Sequence, residues 1–105
     1  MSTQDLIRRE SPALTGTHTY SVPYTHNLQI SLANPVTVTG GSLVISAKTT
    51  PDSAFEALSA GGDTIDCSAP NTITITGNRV CEIQVVSTAT GTASTYLLDI
   101  RAWDE

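Results

Sequence analysis

Hydrophobic and polar residues alternate with a period of two along most of the chain, which is the spacing of a half-buried β-strand. Residues 28–32 alternate strictly, and in residues 72–76 two isoleucines alternate with three threonines. Turn-forming glycine, proline and asparagine residues separate these runs at intervals of roughly eight to twelve residues, as in sandwiches and small barrels. We therefore predict strands over 17–22, 28–32, 36–38, 42–48, 64–67, 72–76, 80–87 and 94–102.

The pattern of short strands and short turns predicts an all-β protein. The turns are too short for the crossovers of about a dozen residues that parallel strands need, so the strands should be antiparallel. Threonine and serine fill 28 of 105 positions, and threonine suits a pleated surface because it is β-branched. The prediction is a single antiparallel two-sheet β-sandwich of about eight strands, in which Gly40-Gly41 forms a hairpin turn.

The N-terminal segment differs from the rest because it lacks alternation and carries four charges, on Asp5, Arg8, Arg9 and Glu10. It could form a short helix capped by a hydroxyl, an arm that becomes ordered on a partner, or a frayed terminus. A proline at position 12 closes it. We therefore divide the chain into an N-terminal arm, residues 1–12, and a β-sandwich domain, residues 13–105.

The charge balance argues against two classes of partner. Five basic residues stand against ten acidic ones, a net charge of −5, and the basic residues form no stripe that could neutralise phosphates. We therefore expect no binding to nucleic acid, and none to an anionic membrane. No apolar run reaches the roughly 20 residues of a membrane helix, and residues 1–11 carry charges where a signal peptide has its apolar core.

Candidate chemistry is sparse. Cys67 and Cys81 lie on predicted apolar faces and could form a disulfide or remain two buried thiols; the missing export signal favours the thiols. His18 and His26 lack neighbours at the spacing of metal ligands, so we expect no metal and no cofactor. Asp99 belongs to an acidic C-terminal stretch that we expect to be solvated.

We expect no enzymatic activity, because the sequence contains no nucleophile elbow, no phosphate-binding loop and no spacing that supports a Ser-His-Asp set. A binding function is the alternative, and arginine and tryptophan carry much of the energy in protein interfaces. The candidate partner-binding residues are Leu6, Ile7, Arg8, Arg9 and Trp103.

Two segments resemble small β-sandwich proteins of tailed-bacteriophage particles. Residues 44–58, VISAKTTPDSAFEAL, resemble a strand, turn and aromatic-small-leucine segment of such proteins, and residues 81–100, CEIQVVSTATGTASTYLLDI, are similar to their closing hairpin. Proteins of this kind coat capsids or decorate tails, often as oligomers, and have no catalytic residues.

The resemblance implies a virion structural protein assembled in the host cytoplasm. The expected role is capsid decoration, with the major capsid protein or other virion proteins as partner and a homo-oligomeric state. Removal of residues 1–11 is then expected to abolish particle binding and to leave the fold intact. The alternative is a carbohydrate-binding or adhesion module, such as a phage tail component, with Tyr24 and Trp103 together on an exposed face.

Overall fold

The computed structural model describes residues 5–22, 26–33, 37–59, 62–77 and 79–103, and side chains from residue 8 onward. These residues form ten strands. No helix long and apolar enough to span a membrane occurs among them. The strands are β1 (Asp5–Glu10), β2 (Thr15–Ser21), β3 (Asn27–Leu32), β4 (Val38–Gly40), β5 (Ser42–Lys48), β6 (Thr64–Asp66), β7 (Ile73–Thr76), β8 (Glu82–Thr88), β9 (Thr90–Gly91) and β10 (Leu98–Trp103).

Two four-stranded sheets make up most of the fold. The first has the order β1-β10-β3-β7 and the second the order β2-β8-β5-β6, while β4 and β9 form a separate two-stranded ribbon. Every pair of strands is antiparallel. The prediction of an all-β, antiparallel fold is therefore confirmed for the described residues, and the two main sheets fit a sandwich. The strand number is ten instead of about eight, because β1 and the two-residue β9 were not predicted.

The core lies between the two main sheets and is built from alternate residues of their strands. Side chains on successive positions of a strand point to opposite faces, so every second residue can be apolar and buried. In the first sheet, β3 buries Leu28, Ile30 and Leu32 and β10 buries Leu98, Ile100 and Ala102; in the second, β5 buries Leu43, Ile45 and Ala47 and β8 buries Ile83 and Val85.

Strands that follow each other in sequence often lie in different sheets. The hairpin predicted at Gly40-Gly41 is wrong, because β4 pairs with β9 while β5 pairs with β6 and β8. Gly41 has a φ of +80°, and a Cβ atom there would lie 1.9 Å from the carbonyl oxygen of Thr88. The glycine therefore lets the chain pass close to β8 as it moves from the ribbon into the second sheet.

The N-terminal segment is part of the first sheet. Strand β1 pairs with β10, from Asp5 opposite Ala102 to Glu10 opposite Leu98, with a register shift between Leu6 and Arg8. The helical alternative is thus wrong for residues 5–10, since the backbone hydrogen bonds of this segment are made to β10. The division into an arm, 1–12, and a sandwich domain, 13–105, stays a prediction, although β1 is one of the strands of the sheet.

Candidate partner-binding site

Charged and aromatic side chains gather on the face of the first sheet that points away from the core. The apolar residues of β10 that enter the core are Leu98, Ile100 and Ala102, so the residues between and after them point to the opposite face of the sheet. Strand β1 adds Arg9, which the register places opposite Asp99. We call this surface the arginine face, and we define it by Arg9, Asp99, Arg101 and Trp103.

Arg9 and Asp99 form the best-defined contact of the arginine face. The Arg9 Nε and Nη2 groups donate to the two carboxylate oxygens of Asp99, at 2.6 and 2.7 Å. Asp99 is only 4% exposed, whereas the Arg9 side chain is 51% exposed. Hydrogen bonding to Arg9 lowers the pKa of Asp99 and raises the pKa of Arg9. The carboxylate that we expected to be solvated is therefore buried beneath an arginine.

This pair changes the expectation for an N-terminal deletion. Removal of residues 1–11 would delete β1 and with it Arg9, the bidentate partner of Asp99. The deletion would also uncover the edge of β10, so the strand pairing and the ion pair would be lost together. The expectation that the fold survives this deletion stays a prediction, but the pairing of β1 with β10 leads us to expect a loss of stability beside any loss of binding.

Arg101 and Trp103 extend the arginine face toward the end of β10. The Arg101 Nη1 atom lies 4.0 Å from a carboxylate oxygen of Asp99, and its side chain is 36% exposed. Trp103 is half-buried and lies opposite Asn27, whose side-chain amide donates to the Trp103 carbonyl oxygen at 3.3 Å. An arginine beside an accessible tryptophan is a composition typical of interface centres.

The other candidate residues of β1 are Leu6, Ile7 and Arg8, and they do not all lie on the arginine face. In the backbone register Leu6 lies opposite Arg101, and Ile7 occupies the register shift; their side chains lie outside the described part of the chain. Arg8 alternates to the opposite side from Arg9 and turns toward the second sheet. The structure thus brings Arg9 and Trp103 to one surface and places Arg8 elsewhere.

Arg8 joins the edges of the two sheets. Its Nη1 group donates to the carbonyl oxygen of Ser21 at 2.5 Å, and its Nε group donates to a carboxylate oxygen of Glu10 at 2.8 Å. The guanidinium carbon also lies 5.4 Å from the ring centroid of Tyr20, within cation–π range. These contacts occupy Arg8 within the chain, so its main role in this structure is to hold β1 beside β2.

A hydrogen-bonded polar pair lies in the core, and one of the two histidines, which is partly buried, packs beside it. The Tyr96 and Ser87 hydroxyls are hydrogen bonded at 2.5 Å, and both residues are buried. Burial raises the pKa of Tyr96 to about 12. The ring of His18 lies edge-on to that of Tyr96, with centroids 6.4 Å apart, and its Nε2 atom is 3.2 Å from the carbonyl oxygen of Ala13. These contacts give Ser87, Tyr96 and His18 a structural role in packing.

A small cavity lies beside Lys48. It has a volume of about 190 Å³ and is lined by Ser21, Lys48, Pro51, Cys81 and Glu82. The Lys48 ammonium group lies 3.0 Å from a Glu82 carboxylate oxygen and donates to the Pro51 carbonyl oxygen at 3.3 Å. The Lys48 ammonium group is therefore bound by an ion pair and a hydrogen bond to other residues of the chain. Across the described residues, no three His, Cys, Asp or Glu side chains group closely enough to share a metal ion.

Both cysteines are free thiols, and they lie far apart along the second sheet. The Cys67 amide donates to the Gly41 carbonyl oxygen and the Cys81 amide to that of Lys48, so the cysteines lie at opposite ends of β5. Seven residues separate those two positions (48 − 41), which is about 23 Å at roughly 3.3 Å per residue. Because a disulfide requires Cα atoms within about 7 Å, a bond between these cysteines is incompatible with this fold.

The site that we infer from the structure overlaps only in part with the residues expected from the sequence. Tyr24, needed for the carbohydrate-binding alternative, lies outside the described residues. Asp99 was missed as a site residue because its position near an acidic terminus suggested a solvated tail. The alternation of residues 98–102 was a usable signal, since it places Asp99 and Arg101 on one face.

Comparison with known proteins reveals the fold but no family. No protein-family model matches the sequence, and no curated protein matches it. The chain is similar in structure to the SPBc2 prophage-derived protein YomS, with a TM-score of 0.66 over 99% of this chain and 94% of that one. The two sequences are 12% identical. The described sandwich is therefore also the fold of a prophage-derived protein of nearly the same extent.

Proposed function

We propose that this chain is a structural protein of a bacteriophage particle, which decorates the capsid shell as a homo-oligomer and catalyses no reaction. The observation that carries the proposal is the structural similarity to the prophage-derived YomS, which extends over 99% of this chain. Fold alone does not define function. The proposal therefore also requires a surface suited to a protein partner, and the arginine face supplies one.

The arginine face would bind an acidic surface of the capsid. Its two arginines and one aspartate give it a net charge of +1, whereas the whole chain has −5. Arg101 and Trp103 are both partly exposed, so they can contact a partner without rearrangement of the core. Tryptophan and arginine provide the largest contributions at most interface centres, while the positive charge favours carboxylates on the partner.

Co-sedimentation with undecorated capsids of the same phage tests the proposal. The wild-type chain is expected to pellet with the capsids, and the variants Arg101→Gln and Trp103→Ala are expected to remain in the supernatant. Arg79→Gln is the matched control, because it removes the same charge from the segment between β7 and β8 and should leave binding unchanged. Thermal melting of each variant establishes that a loss of binding does not result from unfolding.

One result would contradict decoration of the capsid, and a second would contradict the arginine face as the contact. A wild-type chain that stays in solution with capsids present would exclude decoration, and a glycan-binding screen of the same sample would then examine the carbohydrate-binding alternative. Capsid binding that survives both Arg101→Gln and Trp103→Ala would instead retain decoration and exclude the arginine face as the contact. Binding that weakens as salt is added is expected, since complementary charges are screened.

A further inference from the structure

Strand β7 is an edge strand of the first sheet, and one of its sides has no neighbouring strand among the described residues. It is the last strand of the first sheet and pairs with β3 through four register pairs, from Asn27 opposite Thr76 to Ile30 opposite Ile73. Among the described residues no strand pairs with its other side. An edge strand presents unpaired backbone N–H and C=O groups, which can hydrogen bond to a further strand.

The other edges of the two four-stranded sheets contain features that oppose strand addition, whereas β7, with four residues, has neither a charge nor a register shift. Strand β1 has a register shift and four charged residues, and β2 ends where the Ser21 carbonyl oxygen accepts a hydrogen bond from Arg8. Strand β6 has three residues and leads into a turn held by hydrogen bonds from Ser68 to Asp66. Register shifts, charges and short length all protect an edge. Strand β7 has a regular register and no charged residue.

The sequence of this edge is also palindromic. Residues 72–76 read Thr-Ile-Thr-Ile-Thr in both directions. Antiparallel pairing of two copies about a two-fold axis at Thr74 would place Ile73 opposite the partner's Ile75 on the inner face. The same register would place Thr72 opposite the partner's Thr76 on the outer face. Ile73 and Ile75 are 2% and 1% exposed, so their faces are already directed toward the core.

We propose that the chain forms a two-fold dimer in which the β7 strands of two copies pair antiparallel, centred on Thr74, and join their first sheets into one eight-stranded sheet. Isologous contact of this kind requires a self-complementary surface, and the palindrome meets that requirement. Ile73 and Ile75 are already buried, so the contact would be made by backbone hydrogen bonds and by Thr–Thr cross-strand pairs, which are favourable in antiparallel sheets. This inference rests on the proposed function in one respect, because the β7 pairing would be the contact that forms the proposed homo-oligomer.

The charge distribution supports a second copy as the occupant of this edge. Residues 67–78 contain no charged residue in a chain of net charge −5. Two copies can therefore approach through this segment without placing like charges directly opposite each other. The remaining negative charges still repel at longer range, so added salt should strengthen the dimer. This salt dependence is opposite to that expected for capsid binding through the arginine face.

Sedimentation velocity and light scattering of the purified chain alone test the dimer and do not depend on capsids. The wild-type protein is expected to show a mass of twice the 11.0 kDa monomer at high concentration. Thr74→Lys and Thr74→Asp should each weaken dimerisation by roughly tenfold or more, because like charges then oppose each other across the axis. An equimolar mixture of the two variants should recover a heterodimer.

Thr17→Lys is the matched control, because it places the same side chain at an exposed position of β2, the edge strand of the second sheet. It should leave the dimer unchanged. The inference is overturned by a wild-type chain that is monomeric at all concentrations, by a dimer that persists in both Thr74 variants, or by a dimer that Thr17→Lys dissociates. Melting curves of each variant distinguish lost association from lost folding.

Discussion

Arg9 and Asp99 lie directly opposite each other on β1 and β10, and two hydrogen bonds of 2.6 and 2.7 Å join the guanidinium group to the carboxylate. Asp99 is nearly inaccessible to solvent, whereas Arg9 remains half exposed. The pair thus holds β1 against β10, an inner strand of the first sheet. It also neutralises one arginine of the arginine face with the carboxylate of Asp99. The attachment of β1 and the charge of the arginine face consequently depend on the same contact.

The Arg9–Asp99 pair should make the stability of the protein depend on acid pH. Because hydrogen bonding to Arg9 lowers the pKa of Asp99 in the folded state, its carboxylate stabilises the fold above the unfolded-state pKa of about 3.9. This contribution is lost as the pH falls through the lower folded-state pKa. Urea unfolding of wild type and Asp99→Asn at several pH values should show a difference in free energy that is largest near neutrality.

The same difference should shrink toward acid pH, since Asp99 then becomes as neutral as the asparagine. Arg9→Gln offers a second comparison, because it removes the main cause of the lowered pKa of Asp99 while leaving the carboxylate in place. Its stability should vary less with pH in the acid range than that of wild type. A free-energy difference between wild type and Asp99→Asn that stays the same from neutral pH to below the acid transition of Asp99 would contradict the role given to this pair.

Gly41 and Gly77 allow the effects of conformation and of close packing to be separated. Their φ angles are +80° and +81°, but a Cβ atom at Gly41 would meet the Thr88 carbonyl oxygen at 1.9 Å, while nothing lies within 4 Å at Gly77. Gly77→Ala should cost about 1–2 kcal/mol for the left-handed backbone alone. Gly41→Ala should cost about 2–5 kcal/mol, because a steric contribution of about 1–3 kcal/mol is added.

Chemical denaturation of the two alanine variants measures this comparison directly. If both variants lost the same free energy of unfolding, the close approach of β5 to β8 at Gly41 would not be present in solution. The result would also bear on the topology, since this approach allows the chain to pass from the ribbon into the second sheet.

The strands of the core were predictable from the sequence, whereas their pairing was not. Alternation predicted β5 with the bounds observed, Ser42–Lys48, and predicted β3 to within one residue. Alternation is a local property, however, and it does not specify which sheet a strand joins. Gly40-Gly41 therefore looked like a hairpin, although the contact that determines its geometry is with Thr88, far along the chain. Strand order depends on such distant contacts.

Strand β1 and the buried Asp99 were missed for a related reason. The segment Asp5–Glu10 has charges where an alternating strand would have apolar residues, because it is an edge strand whose side chains pair with neighbours. Arg8 is satisfied by Glu10 and the Ser21 carbonyl oxygen, and Arg9 by a residue 90 positions away. Charged residues could be assigned to this strand only once those partners were known.

The hydrogen bond between Ser87 and Tyr96 should stabilise the core as a coupled pair. Tyr96→Phe would leave the buried Ser87 hydroxyl without this partner, and Ser87→Ala would do the same to Tyr96. Each change should lower the free energy of unfolding by about 1–2 kcal/mol. The double variant should lose less than the sum of the two, because neither polar group then remains unsatisfied. Strictly additive losses in urea denaturation would show that the two hydroxyls do not interact in solution.

The two cysteines should differ in reactivity toward an alkylating reagent. Cys67 is 1% exposed, and its burial, together with the charge of Asp66, raises the pKa of its thiol, so little of the reactive thiolate forms. Cys81 is half-buried and borders the cavity beside Lys48. Iodoacetamide should therefore modify Cys81 in the native protein and both cysteines in urea, as read by mass spectrometry of the peptides. Equal labelling in the native state, or an intramolecular disulfide after mild oxidation, would contradict their placement at opposite ends of β5.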